Sequence, residues 1–136
     1  MISITYVSSA VPEFNESMLL DLVDACQKTN ERLGVTGMLV YSDGNLMQVI
    51  EGADLPTFAL YERIRRDARH RDVTTVHHQP IEAPEFQGWS MAYNILPPRR
   101  LRANRFPHAF LDRAQLRPLP LPQGSASSLV CAFMHR

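Results

Sequence analysis

The chain reads as an α+β fold, a mixed five-stranded sheet with two helices on one face and C-terminal helices on the other. Three observations predict it. Strand-like alternation and helix-like spacing succeed each other in the order βαββαββ over residues 2–95. An Asp43-Gly44 pair joins two apolar runs as a tight hairpin. Both faces of that hairpin are apolar, so it belongs at the centre of a sheet covered on both sides.

Residues 2–8, ISITYVS, alternate: Ile2, Ile4 and Tyr6 point one way, Ser3, Thr5 and Val7 the other. Asn15 is placed to cap a helix over residues 16–32. Its apolar stripe is Leu19, Leu22, Val23, Cys26 and Leu33, and Asn30 falls on the same stripe. With Asp43 and Gly44 as the hairpin loop, Tyr41 pairs with Leu46 and Leu39 with Gln48. One face then carries Gly37, Leu39, Tyr41, Leu46, Gln48 and Ile50, and the other Met38, Val40, Met47 and Val49. Asp54 is placed to cap a second helix over residues 55–66, with Pro56 tolerated in its first turn and Leu60, Tyr61 and Ile64 as its stripe. Residues 73–81, VTTVHHQPI, read as a strand with Pro80 near its end. Residues 89–95, WSMAYNI, alternate again, with Trp89, Met91 and Tyr93 on one face.

This order suits a ferredoxin-like sandwich. Pro97-Pro98 ends it, dividing the chain into a unit of residues 1–96 and an extension of residues 97–136. In the extension, residues 104–114 and about 124–134 read as short helices joined by the Pro-rich RPLPLPQG. They are expected to pack on the hairpin's second face or to mediate oligomer or partner contacts.

Composition narrows the function. The 136 residues are 45% hydrophobic and 21% charged, as in one globular domain. Fourteen basic and fourteen acidic residues cancel, so neither nucleic acid nor a membrane surface is indicated as the main partner. Cys26 and Cys131 form no motif and suit a reducing compartment. The N-terminus lacks the charged start and long apolar stretch of a signal peptide. No apolar run approaches the roughly 18 residues that span a membrane. A cytoplasmic protein is expected.

Gln48 poses the functional question. It sits mid-strand between Leu46-Met47 and Val49-Ile50, where an unpaired amide costs about 1–3 kcal/mol. The face it shares with Leu39, Leu46 and Ile50 is joined by Tyr6, by Met91 or Trp89, and by Asn30 from the first helix. Two readings fit. Tyr6, Asn30 and Gln48 satisfy one another inside a core, or they line a slot for a flat heteroaromatic ligand. The lining holds no carboxylate pair, no Ser/His/Asp arrangement and no metal cluster.

The runs Tyr6-Val7-Ser8, Asn30-Glu31-Arg32-Leu33-Gly34-Val35-Thr36-Gly37, Tyr41-Ser42-Asp43-Gly44 and Gln48-Val49-Ile50-Glu51-Gly52 resemble the BLUF family. Tyr61-Glu62-Arg63-Ile64, Asp67, Arg69-His70 and Trp89-Ser90-Met91 continue the likeness over about residues 1–95. These are blue-light sensors using FAD. The resemblance implies that Tyr6 is the photoactive tyrosine, giving an electron and a proton to the excited flavin. It places Gln48 between that tyrosine and flavin N5/O4, with light reorganising the amide. It assigns Asn30 to the flavin's polar edge, and Arg63 and Asp67 to the pyrimidine end. Leu39, Leu46, Ile50 and Ile64 would wall the ring, and Leu22, Thr29 and His70 would complete the binding set. FAD is the implied cofactor, with FMN or riboflavin as substitutes. Family members differ over whether Trp or Met lies beside the glutamine, so Trp89 and Met91 both stand as photoactive residues.

The remaining features point to no second chemistry. His77 and His78 are strand neighbours facing opposite ways, so no metal site is expected. The basic stretches RIRRDARHRD and PPRRLRANR read as solvated surface, or as docking for an acidic partner or phosphate. They lack helix-turn-helix spacing and interleaved aromatics, so nucleic acid is not an expected partner. GVTG lacks the Gly-Lys-Ser/Thr of a phosphate loop. Cys26 and Cys131 read as packing thiols. The chain is therefore expected to be a sensor rather than an enzyme, signalling in trans to a protein partner or through a homo-oligomer. The apolar tail SASSLVCAFM is the reason to expect the oligomer. A flavin-dependent enzyme and a cofactor-free interaction module of the same fold are the alternatives.

Overall fold

The computed structural model describes residues 1–96, 109–111 and 118–135. The elements are β1 (Ile2–Ala10), α1 (Glu16–Leu33), β2 (Thr36–Ser42), β3 (Asn45–Gly52), α2 (Asp54–Arg65), β4 (His70–Pro80), β5 (Ala92–Ile95), β6 (Ala109–Leu111), β7 (Pro118–Pro120) and α3 (Ser125–Met134). They form one sheet in the order β4-β1-β3-β2-β5-β6-β7. Strands β2 and β5 run parallel, and the other neighbours are antiparallel. The first five strands are the expected mixed ferredoxin-like sheet, and β6 and β7 widen it to seven.

Local chemistry accounts for the boundaries. The Asn15 side chain, on extended backbone, accepts from the Met18 N–H at 2.9 Å and opens α1. Gly34 at φ 69° closes it in the left-handed conformation. Asp43 and Gly44 have φ of 50° and 83°, the two positive angles a two-residue hairpin needs. The register is the one expected, with Tyr41 opposite Leu46 and Leu39 opposite Gln48.

Three expectations need correction. Asp54 does not cap α2: Ala53 holds that position without a side-chain bond, and Asp54 is the first helical residue. Its carboxylate lies 2.8 Å from the N-terminal ammonium of Met1, and its charge suits the positive end of the helix. The last strand of the core starts at Ala92 rather than residue 89. Gly88 at φ 84°, with a 3.0 Å bond from Trp89 N–H to the Phe86 carbonyl, turns the chain there. Residues 89–91 therefore do not alternate, and Trp89 and Met91 part company. The helix expected over 104–114 is contradicted at residues 109–111, which form β6, with Leu111 opposite Tyr93 of β5. Residues 104–108 and 112–114 lie outside the described residues. The Pro-rich link contributes β7, at the sheet edge where a missing N–H costs no ladder bond.

Helices α1 and α2 cover one face. Leu19 and Val23 of α1 pack with Leu39, Leu46, Met91 and Tyr93. Leu60 and Tyr61 of α2 pack with Ile2, Ile4, Tyr6 and Ile50. Helix α3 covers the hairpin's other face, setting Ala126, Val130, Phe133 and Met134 against Met38, Val40, Met47 and Val49. The tail's apolar surface, on which the expectation of a homo-oligomer rests, is thus covered by the chain's own sheet. Trp89 joins this second core, its ring centroid 5.3 Å from that of Phe86 and 5.6 Å from that of Phe110. Among the described residues, no helix is long and apolar enough to cross a membrane.

Candidate functional site

Strand register brings the phenol to the amide. Gln48 on central β3 lies opposite Tyr6 of β1 on one side and opposite Leu39 of β2 on the other. Opposed residues of an antiparallel pair share a face, so all three project toward α1 and α2. Strand β2 can close on β3 because residue 37 is glycine: a Cβ there would lie 2.1 Å from the Val49 carbonyl oxygen.

Tyr6 Oη donates to Gln48 Oε1. Both residues are buried, at 2% and 3% exposure, so this bond is shielded from water. The Gln48 Nε2 faces the Met91 sulfur at 3.8 Å. The Cys26 thiol is the amide's other sulfur neighbour, and thioether and thiol are both weak acceptors, so the amide's donor capacity is largely unspent. Burial holds the Tyr6 phenol pKa well above its ordinary range, and Cys26, Tyr61 and Asp67 add to the effect. Tyr6 is therefore a protonated donor at neutral pH. The Tyr61 ring lies beside it, with centroids 5.6 Å apart.

A cavity of about 170 Å³ opens between α1, α2 and this sheet face. Of the residues expected at the site, Tyr6, Leu22, Thr29, Leu39, Leu46, Gln48, Arg63, Ile64, Asp67 and His70 line it. Asn30 does not line it: its Nδ2 donates at 2.6 Å to the Ser90 carbonyl, fixing the segment that leads into Met91. Ile50 lies behind the wall, fully buried among Ile2, Ile4 and Leu60. Trp89 is on the opposite side of the sheet, which leaves Met91 alone beside Gln48.

His70 is held at both ring nitrogens. Its Nε2 donates to the Ile64 carbonyl at 2.6 Å, and its Nδ1 is hydrogen-bonded to the Ser8 hydroxyl at 2.8 Å. The ring thus links β1 to the end of α2. Asp67 is clasped by Arg69, which donates through Nε at 2.9 Å and a terminal nitrogen at 2.6 Å. Those bonds hold the Asp67 carboxyl below its ordinary pKa. The pair places fixed opposite charges at the cavity wall.

Ala25, Cys26, Leu60 and Arg69 also line the cavity and were not foreseen as site residues. For Cys26 a signal existed, since it stands one helical turn from both Leu22 and Asn30. Burial pushes its thiol pKa up to about 11, so it is a neutral thiol. Arg69 follows the helix in a turn, where no periodicity marks it. Among the described residues, no cluster of three or more His, Cys, Asp or Glu could hold a metal ion.

Fold and site together define an α+β binding domain, with a slot of leucine and isoleucine walls and one unspent amide donor. Comparison with known proteins carries this further. Residues 1–92 match the family model of BLUF, the sensors of blue light using FAD. The beta subunit of the photoactivated adenylate cyclase of Euglena longa is 36% identical over 80 residues, covering 59% of this chain and 9% of that protein. The dark-state structure of BlrB, a BLUF protein, superposes with a TM-score of 0.65 at 31% identity, covering 73% of each chain. BlrP1 of Klebsiella pneumoniae superposes with a TM-score of 0.73 at 27% identity, over 98% of this chain and 32% of its own. The chain belongs to the BLUF family of flavin-binding blue-light sensors.

The residues present fit a flavin ring. The cavity's aliphatic walls suit its faces, and the unspent Gln48 Nε2 offers a hydrogen bond to an acceptor on its edge.

Proposed function

We propose that this chain is a blue-light photosensor that holds FAD in the cavity between α1 and α2 and switches by rearranging the Tyr6–Gln48 hydrogen bond. The buried Tyr6–Gln48–Met91 chain carries this reading. FAD supplies the blue-light absorption and, on excitation, an electron acceptor; FMN occupies a structure of BlrP1 and is the natural substitute. Leu22, Leu39, Leu46 and Ile64 would hold the ring by its faces, and Arg63, the Asp67–Arg69 pair and Thr29 its polar rim.

Tyr6 is the electron and proton donor, since its phenol is protonated and already donates toward Gln48. Gln48 is the switch, because a primary amide both donates and accepts. Reversal of the amide would turn an oxygen toward Met91, and a thioether has no hydrogen to offer it. Met91 therefore registers which end of the amide faces it. Asn30 supports this reading of Met91 by fixing the adjacent Ser90 carbonyl.

The sensing unit is residues 1–96. In the cyclases the matching segment is a small part of a much longer chain. Here the described part of the extension covers the chain's own sheet. The output would pass to a separate protein or a second copy, in a reducing compartment such as the cytoplasm. The test is Gln48→Leu: the variant is expected to keep FAD and lose its light response. A normal spectral shift in that variant would overturn the assignment.

A further inference from the structure

The link between β4 and β5 is fastened at both ends of the molecule's functional axis. At residues 89–91 it meets the candidate site. The Trp89 carbonyl accepts from Gly37 N–H at 2.8 Å, the Ser90 carbonyl from Asn30, and the Met91 sulfur from Gln48. Phe86 N–H donates at 2.9 Å to Glu51, a fully buried carboxylate three residues beyond Gln48 on β3. The neighbouring Glu85 reaches the other layer. Its Oε2 accepts from Ser127 N–H at 2.6 Å and from Ser127 Oγ at 2.7 Å, in the first turn of α3.

That contact replaces a cap the helix lacks. Gly124, at the N-cap of α3, has no side chain to satisfy the first amides. It also has φ 151°, and a Cβ there would lie 1.8 Å from Glu85 Oε1. The glycine thus makes room for a carboxylate from 39 residues earlier in the chain, whose charge suits the helix's positive end.

We propose that Glu85 is a positioning residue, a clasp that caps α3 from the same link that reads Gln48 through Met91. The state of the amide then sets how firmly α3 is held over the apolar face of Met38, Val40, Met47 and Val49. This rests on the photosensor reading for its light dependence. Of the fastenings, the 3.8 Å contact of Gln48 with Met91 is the longest, and it is the one the amide can break. Shifting residues 89–91 moves Glu85 through a link only a few residues long.

The test is amide hydrogen exchange of residues 125–134 in the FAD-loaded full chain, dark and illuminated, with absorption recorded in parallel. In the wild type, illumination is expected to speed exchange in α3. Glu85→Ala is expected to exchange roughly 5–30-fold faster in α3 in the dark, the effect of losing a helix cap. It should keep the dark flavin spectrum and show no further change in α3 on illumination. Glu85→Gln, which retains an acceptor oxygen, should restore part of the protection. Gly124→Ala displaces the carboxylate while residue 85 stays glutamate, and should behave as Glu85→Ala does. Wild-type protection of α3 in both Glu85→Ala and Gly124→Ala would overturn the clasp. An absorption shift without any change in α3 exchange would overturn its coupling to light and leave the photosensor reading intact. No absorption shift at all would overturn that reading and the coupling together.

Discussion

Removing the Tyr6 hydroxyl tests the central bond as an energy. Tyr6 and Gln48 are both almost wholly buried, so Tyr6→Phe keeps the ring and leaves Gln48 Oε1 without its donor. An orphaned buried acceptor costs about 1–3 kcal/mol. Gln48→Leu leaves the phenol without its acceptor, at a similar cost less the gain from burying an aliphatic group. The double variant removes both partners and orphans neither. It should therefore be more stable than the sum of the single losses by about 1–3 kcal/mol. The assay is urea unfolding of the flavin-free protein, so that no cofactor contributes. With a slope of about 2 kcal/mol per molar, a loss of 2 kcal/mol lowers the midpoint by about 1 M. Additivity of the single effects within about 0.5 kcal/mol would mean that Tyr6 and Gln48 are not coupled, since independent sites add to that precision.

Three further outcomes follow from the same geometry. Gly37→Ala forces a Cβ to 2.1 Å from a backbone oxygen that cannot step aside, and is expected to cost over about 3 kcal/mol in thermal or urea unfolding. Trp89→Phe should lower stability through the α3-side core yet leave the dark flavin absorption in place, whereas Met91→Ala should shift it; the reverse order would contradict the separation of the two residues across the sheet. Two carboxylates should respond to acid in opposite senses. Asp67 has a lowered pKa, so its contribution is complete above its ordinary 3.8 and is lost as pH falls through the folded value below that. Glu51 has a raised pKa, chiefly from burial, so its ionisation costs stability as pH rises from its ordinary 4.5 through the folded value. Thermal unfolding of Asp67→Asn and Glu51→Gln across pH 2–8 should flatten one limb each, with Asp67→Asn acting at the acid end.

Much of this molecule is legible in its sequence where a local rule acts alone. Asp43-Gly44 fixes the hairpin, and the hairpin's register places Leu39 beside Gln48 without further information. Alternation in the first strand then supplies Tyr6, and helical spacing supplies Leu22. The rest depends on context that pattern reading does not carry. WSMAYNI alternates like a strand, but Gly88 and the bond from Trp89 to Phe86 hold its first residues in a turn. Trp89 and Met91 consequently fall on opposite faces although their spacing sets them on one. Cys26 looks like core because nothing in a helical stripe distinguishes a wall of a cavity from a packed interior. Residues 109–111 become a strand because β5 offers an open edge, a partner that lies distant in sequence. Glu85 has no motif at all. Its role appears only when the link and α3 are seen together.

Visible absorption of the purified, FAD-loaded protein, recorded in the dark, under blue light and during recovery, decides whether the Tyr6–Gln48 network switches. The flavin spectrum is expected to move reversibly to the red without bleaching, since the ring stays oxidised while the Gln48 amide changes its hydrogen bonds. Bound flavin whose spectrum is unmoved by light would contradict it.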